Sequence, residues 1–183
     1  MAQKATVHKA ELEVVDMDRH HYETYKLTLA RHPSETPDRL MVRLLAFALN
    51  AHERLEFGRG ISEAEEPDLW IRDLTGTAEL WIELGHPDER LLARALGQAP
   101  RVIVYTYSPR PGLWWDPLAA RFGGEQRLSV FHVSSRSAAE LGAVAGPTMS
   151  LQVSVQDGDV WVRDEKGAEV KVEITEVERA GRA

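Results

Sequence analysis

The chain has 183 residues, no cysteine and a formal net charge of −7 at pH 7. The acidic balance argues against general, charge-driven binding of nucleic acid, because phosphate contacts need a basic surface, but it leaves room for a local basic groove. The lack of cysteine excludes disulfides, a thiol nucleophile and a cysteine zinc site. No apolar run can span a bilayer, so we expect no membrane partner and a cytoplasmic location. The chain length suits a single domain over residues 1–183.

The N-terminal part of the chain predicts a hairpin followed by a helix. Residues 6–15 and 22–30 alternate polar and apolar side chains, as strands do, on either side of a polar bend. Thr36 is a good N-cap, and Pro37 suits the first helical turn. Apolar residues recur from there at helical spacing, so the helix is predicted to end near residue 50 or 53.

The rest of the chain predicts alternating strands and helices and then a run of strands. Residues 101–107 are nearly all apolar, which is typical of a strand buried on both faces. The other predicted elements are strands at 55–61, 68–84 (a hairpin) and 127–133, helices at 88–97, 114–121 and 137–144, and an antiparallel meander over 149–178. The predicted fold class is therefore α/β (α+β): a mixed β-sheet with flanking helices, plus the N-terminal hairpin and the C-terminal meander.

One predicted hairpin carries the clearest candidate for chemistry. Its two strands alternate around a turn at Thr75 and Gly76, so side chains of one parity share a face. One face is apolar and is expected to be core. The other face would hold three cross-strand pairs: Asp68 with Glu83, Trp70 with Trp81, and Arg72 with Glu79.

Paired carboxylates on adjacent strands suit a hard divalent cation. Asp68 and Glu83 could hold Mg²⁺ or Mn²⁺, and Glu79 could join them as a third ligand. A basic side chain nearby would stabilise charge that develops on a phosphoryl oxygen. The sequence offers three candidates for that catalytic role: Arg72, Arg59 and Lys26. The alternative is an ordinary outer face of a hairpin, solvated or packed, in which Arg72 and Glu79 form a simple ion pair.

Several segments together resemble the YaeQ family of bacterial proteins. They are Thr-Leu-Ala-Arg-His-Pro-Ser-Glu-Thr at 28–36, Glu-Pro-Asp-Leu-Trp at 66–70 and Trp-Ile-Glu-Leu-Gly-His-Pro-Asp at 81–88, with Leu-Gln at 151–152 and Gln-Asp-Gly at 156–158. The resemblance covers nearly the whole chain. It implies a fold like that of restriction endonucleases, the PD-(D/E)XK nuclease core, over about residues 34–133.

The resemblance also implies roles for particular residues. In that superfamily an acid on one strand and an acid-x-lysine on the next bind the metal and activate water. These acids fall at Asp68 and Glu83, but the lysine position falls on Gly85, which has no side chain. The implied function is a divalent-metal-dependent phosphodiesterase acting on nucleic acid, as a monomer or weak homodimer. The alternative is a catalytically degenerate nuclease fold that acts as a binding or regulatory module.

Overall fold

A computed structural model describes residues 4–59 and 65–177 of the chain, and in these ranges it has four helices and eleven strands. The predicted mixed α/β class is confirmed. The strands are β1 (Thr6–Asp16), β2 (His21–Arg31), β3 (Leu55–Phe57), β4 (Leu69–Arg72), β5 (Ala78–Leu84), β6 (Val102–Thr106), β7 (Leu128–Val133), β8 (Thr148–Gln156), β9 (Asp159–Asp164), β10 (Glu169–Val172) and β11 (Ile174–Glu176). The helices are α1 (Pro37–Leu49), α2 (Glu89–Gln98), α3 (Pro111–Phe122) and α4 (Ser135–Ala143).

From residue 40 to residue 48 the first helix is buried on all sides, which explains why this stretch is apolar except for Arg43. The hydroxyl of Thr36 accepts a hydrogen bond from the Arg39 amide at 3.2 Å, so the predicted N-cap is confirmed. Every residue from 40 to 48 is buried. Its side chains belong to a core that also contains residues of both sheets, such as Leu12 and Ile82. The helix α1 therefore lies between the two sheets.

The strands form two sheets, whereas the sequence predicted one with two extensions. The N-terminal hairpin and the C-terminal meander join through parallel pairing of β1 with β8, giving the order β10-β9-β8-β1-β2. The other sheet has the order β11-β7-β6-β5-β4-β3. Its strand β6 is parallel to both neighbours and wholly buried, as predicted. The residue at 178, predicted to end the meander, and residues 60–61 of the predicted strand 55–61 lie outside the described ranges.

The second face of the six-stranded sheet packs on α2 and α3. Trp81, Val104, Leu92 and Trp115 are among the residues of this second core cluster. The prediction that Gly97 ends α2 is wrong, because the helix continues through Gln98. Among the described residues, no helix is long and apolar enough to cross a membrane.

The predicted register of the hairpin β4–β5 is right at one end and wrong at the other. Trp70 pairs with Trp81 as expected, but the rings meet edge to face, with centroids 6.0 Å apart. A β-bulge after Ile71 then shifts the pairing, so that Arg72 lies opposite Ala78 and not opposite Glu79. An inserted residue of this kind leaves no clear mark in an alternating pattern.

Candidate functional site

Asp68 and Glu83 lie side by side where β4 begins and β5 ends. Leu69 pairs with Ile82, so the next position in each strand brings the two acids together. The Leu84 amide donates a hydrogen bond to Oδ2 of Asp68 at 2.8 Å. The Asp68 carbonyl accepts one from the Gly58 amide at 2.9 Å. A Cβ at residue 58 would lie 1.9 Å from the Pro67 carbonyl oxygen, so glycine is needed for this close approach.

Asp68 forms an ion pair with Arg39, a residue that the sequence analysis did not single out. Nη2 of Arg39, in the first turns of α1, lies 2.6 Å from Oδ1 of Asp68. Nη1 of the same guanidinium lies 3.0 Å from Oε1 of Glu35. Glu35 also accepts a hydrogen bond from Arg43 through its second oxygen, at 2.9 Å. Arg39 and Arg43 are four residues apart, which places them on one side of α1, and Glu35 directly precedes the N-cap Thr36; this spacing was the signal available in the sequence.

The Glu83 carboxyl is buried and holds its proton at neutral pH. Burial raises its pKa to about 8, and the nearby Asp68 charge and a hydrogen bond shared with Asp68 act in the same direction. The Trp81 indole opposes this effect by donating a hydrogen bond to Oε1 of Glu83 at 2.7 Å. The Arg39 charge opposes it more weakly. The two acids therefore differ in state, with Asp68 paired to arginine and Glu83 protonated.

The three basic residues proposed from the sequence lie away from the acid pair, and two of them have other partners. Arg72 pairs with Glu56, and its guanidinium lies 4.3 Å from the Trp70 ring centroid. Arg59 is 75% exposed and pairs with Glu66 at 3.1 Å. Lys26 is exposed on β2 in the other sheet, in register with Glu11. Among the described residues, none of the three forms an ion pair with Asp68 or Glu83.

The proposed third metal ligand also lies elsewhere. Glu79 pairs with Arg54 at 2.9 Å, and both side chains are more than a third exposed. It is four residues from Glu83, a separation of about 13 Å along an extended strand. In the described part of the chain, no three His, Asp or Glu residues are arranged to hold a metal ion. A metal ion at this place would be coordinated by the two carboxylates, and water would complete its coordination shell, as is common for Mg²⁺.

Gly85 has a backbone conformation that explains the absence of lysine at this position. Strand β5 ends at Leu84, and Gly85 has a φ of +88°. Its amide donates a hydrogen bond to the Tyr105 carbonyl at 2.8 Å, which holds the turn against β6. A side chain here would not continue along the strand. The cation beside Asp68 is instead Arg39, which comes from α1.

Replacing Gly85 by Ala is expected to destabilise the fold by about 1–2 kcal/mol, because a left-handed conformation is strained for a residue with a Cβ. Urea denaturation measures this loss. Gly97→Ala is the matched control: Gly97 is an exposed helical residue with open space around its Cα, so alanine should stabilise the chain by about 0.5–1 kcal/mol. Equal effects of the two substitutions would contradict the role given to Gly85.

Comparison with known proteins decides the family. A sequence model of the family described as YaeQ protein matches residues 1–174. The chain belongs to the YaeQ family. An Escherichia coli (strain K12) relative named "Uncharacterized protein YaeQ" is 44% identical over 167 residues, which cover 91% of this chain and 92% of that protein. A Salmonella typhi relative of the same name is 42% identical over 176 residues, covering 96% and 97% of the two chains.

Solved YaeQ structures have the same fold as this chain. The crystal structure of YaeQ protein from Xanthomonas axonopodis pv. citri matches with a TM-score of 0.91 and 44% identity, covering 95% of this chain and 98% of that one. YaeQ protein from Pseudomonas syringae matches with a TM-score of 0.89 and 32% identity, covering 94% and 96%. The arrangement of two sheets around α1 is therefore that of YaeQ proteins.

Proposed function

We propose that this YaeQ protein is a divalent-metal-dependent phosphodiesterase that acts on nucleic acid, with a nuclease core of the PD-(D/E)XK type. The observation that carries the proposal is the meeting of Asp68 and Glu83 at the carboxyl end of β5, with the Arg39 guanidinium on Asp68. Two close carboxylates and a cation are the groups that metal-assisted phosphodiester hydrolysis requires.

The charges of the site fit a bound cation. Glu35, Asp68 and Glu83 are acidic and Arg39 and Arg43 are basic, so the cluster is neutral only while Glu83 keeps its proton. Ionised Glu83 would leave one negative charge in a buried place. A divalent ion on Asp68 and Glu83 would offset that charge in place of the proton and would leave the cluster with one positive charge, which suits a phosphate ligand. The two-carboxylate donor set therefore suits Mg²⁺ or Mn²⁺.

Each residue then has a distinct role. The bound cation would supply an activated water and neutralise charge on the phosphate. Asp68 and Glu83 would hold it, and Asp68 is positioned for this by the Leu84 amide. Arg39 would replace the lysine that Gly85 cannot provide and would stabilise charge on the phosphoryl oxygens. The restraint of Arg39 by Glu35 keeps its guanidinium directed at Asp68.

A catalytically degenerate fold that acts as a binding or regulatory module is the second candidate. The hydrogen bonds of Asp68 favour this candidate. Both of its carboxylate oxygens, the atoms that would bind a metal ion, already accept hydrogen bonds, from Arg39 and from the Leu84 amide. The net charge of −7 also favours it, because nucleic acid is repelled by an acidic surface. In this candidate the buried ion pairs fix the fold and take no part in a reaction.

Metal binding and strand cleavage separate the two candidates. Calorimetric titration with Mn²⁺ should show binding by the wild type. The affinity of Glu83→Gln for Mn²⁺ should be at least tenfold lower. The matched control Glu79→Gln removes a carboxylate from the same strand, at its salt bridge with Arg54, and should bind Mn²⁺ like the wild type. Labelled single- and double-stranded DNA and RNA should be cut by the wild type only when Mn²⁺ or Mg²⁺ is present.

The outcomes are distinct. Binding without cleavage of any of these substrates would favour the binding module. Absence of Mn²⁺ binding by the wild type at millimolar concentration would overturn the proposed cofactor, and with it the metal-dependent reaction.

A further inference from the structure

A second group of polar and aromatic side chains lies beside the acid pair, where the parallel strands β5 and β6 end. Nε2 of His86, just after β5, lies 3.0 Å from Oγ1 of Thr106, the last residue of β6. The same nitrogen lies 3.0 Å from Oγ of Ser108, two residues further on. The imidazole is thereby tied to the carboxyl end of the neighbouring strand. Ligands commonly bind at the carboxyl ends of parallel strands in α/β sheets.

The register of the two strands places this group next to Glu83. Glu83 pairs with Val104, so its side chain lies on the same face of the sheet as that of Thr106, two residues further along β6. The strand spacing and the rise per residue put the Cα atoms of Glu83 and Thr106 about 8 Å apart. No described atom lies within 4 Å of the position that a Cβ would take at Gly85. A ligand at the acid pair can therefore extend past Gly85 to His86.

The imidazole of His86 is an exposed aromatic ring that is fixed in place. It is stacked on the Trp114 indole, with 5.2 Å between the ring centroids and 4° between the planes. The indole nitrogen of Trp114 donates a hydrogen bond to the Pro87 carbonyl at 2.8 Å. Partial burial and the nearby His132 lower the pKa of His86, so its ring is uncharged at neutral pH. A fixed, neutral ring can receive another aromatic group with little loss of side-chain entropy.

We propose that the preferred substrate is single-stranded nucleic acid, in which an unpaired base beside the cleaved phosphate stacks on the His86–Trp114 pair. This inference rests on the proposed phosphodiesterase and names its substrate class. A distance of about 8 Å between Glu83 and Thr106 is one that a nucleotide spans from its phosphate to its base. A base within a duplex is covered on both faces, whereas an unpaired base is free to stack on a protein ring. Stacking needs no basic surface, which suits a net charge of −7.

An oligothymidylate of about eight nucleotides is the probe, and it is titrated in EDTA so that no metal-dependent cleavage occurs. NMR signals of the Trp114 indole and of the Ser108 amide should shift as it binds. A strand with the same phosphates but no bases should bind at least tenfold more weakly, because it has nothing to stack. The duplex with oligoadenylate should also bind at least tenfold more weakly, because its bases are paired.

Substitutions of His86 separate stacking from a structural role. His86→Ala should weaken binding of the oligothymidylate about tenfold, because the ring face is lost. His86→Phe should bind it within about twofold of the wild type, since phenylalanine keeps the ring face and lacks only the contacts with Thr106 and Ser108. The matched control is His21→Ala, which removes a histidine stacked on Tyr25 in the other sheet and should leave binding unchanged. Melting curves verify that each variant is folded.

The inference is overturned if the wild type does not bind the oligothymidylate or binds the strand without bases equally well. It is also overturned if His86→Ala and His86→Phe bind alike, because the ring face then has no role of its own. Addition of Mn²⁺ afterwards tests the reaction. Base-dependent binding without cleavage would support the stacking site and contradict the phosphodiesterase, so the two proposals fail separately.

Discussion

Replacing Glu35 by Ala is expected to destabilise the protein by about 3–5 kcal/mol, the usual cost of removing one partner of a buried ion pair. Glu35 and Arg43 are each only 3% exposed. Glu35 receives hydrogen bonds from both Arg43 and Arg39, so its loss leaves two partly or fully buried guanidinium groups with one partner fewer. The Nε atom of Arg43 already has no hydrogen-bond partner among the described residues. Burial already lowers the pKa of Arg43, which shows how unfavourable its charge would become.

Urea denaturation of the wild type, Glu35→Ala and a surface control measures this cost. The control is Glu140→Ala, which breaks the exposed pair with Arg136 on α4 and should change stability by less than about 0.5 kcal/mol. Adding Arg43→Met to Glu35→Ala should restore part of the loss, because it removes the charge that was left unpaired. A loss below 1 kcal/mol in Glu35→Ala would show that these charges are not buried as described.

Glu83→Gln is expected to remove much of the pH dependence of stability between about pH 4.5 and 8. The pKa of Glu83 is raised to about 8 in the folded state from an ordinary value of 4.5. The folded state therefore binds more protons than the unfolded state in this window, and stability falls as pH rises through it. The loss should level off above pH 8, where both states are ionised. Its size is on the order of 5 kcal/mol, since the pKa rises by about 3.5 units and one unit corresponds to about 1.4 kcal/mol.

The measurement is the free energy of unfolding at several pH values for three proteins. The difference between the wild type and Glu83→Gln reports on this carboxyl together with its coupled neighbour Asp68, because groups away from the pair, including His86 with its lowered pKa, contribute equally to both. Glu79→Gln, whose carboxylate is exposed, should give a curve parallel to that of the wild type. A Glu83→Gln curve parallel to the wild type would mean that Glu83 is ionised throughout, in conflict with its burial.

Much of the fold was readable because its signals are local. Examples are the cap at Thr36, the apolar strand β6 and the alternation in the meander. Each of these signals is contained in a few neighbouring residues. The joining of the hairpin to the meander was not predicted. That joining depends on parallel pairing of β1 with β8, which lie about 140 residues apart, as in the pair Lys9 and Thr148. No local pattern records such a pairing.

The candidate site was predictable in part for the same reason. Asp68 and Glu83 belong to one hairpin, so counting along two strands places them together. Arg39 lies 29 residues before Asp68, in a helix whose position between the sheets only the folded chain reveals. The bulge at Arg72 changes the register without changing the hydrophobic pattern, and it separates Arg72 from Glu79. The alternating pattern therefore predicts the pairing of Asp68 with Glu83 correctly, but it pairs Arg72 with Glu79, which is wrong.

Asp68 and Glu83 are proposed to hold a divalent cation, and anomalous scattering from a crystal soaked in Mn²⁺ can locate such an ion. We predict one anomalous peak within about 2.0–2.4 Å of an oxygen of each carboxylate, with the Trp81 indole or the Arg39 guanidinium shifted from its present bond. Glu83→Gln should abolish the peak. Absence of a peak in the wild type at millimolar Mn²⁺, with Arg39 still bound to Asp68, would contradict the claim.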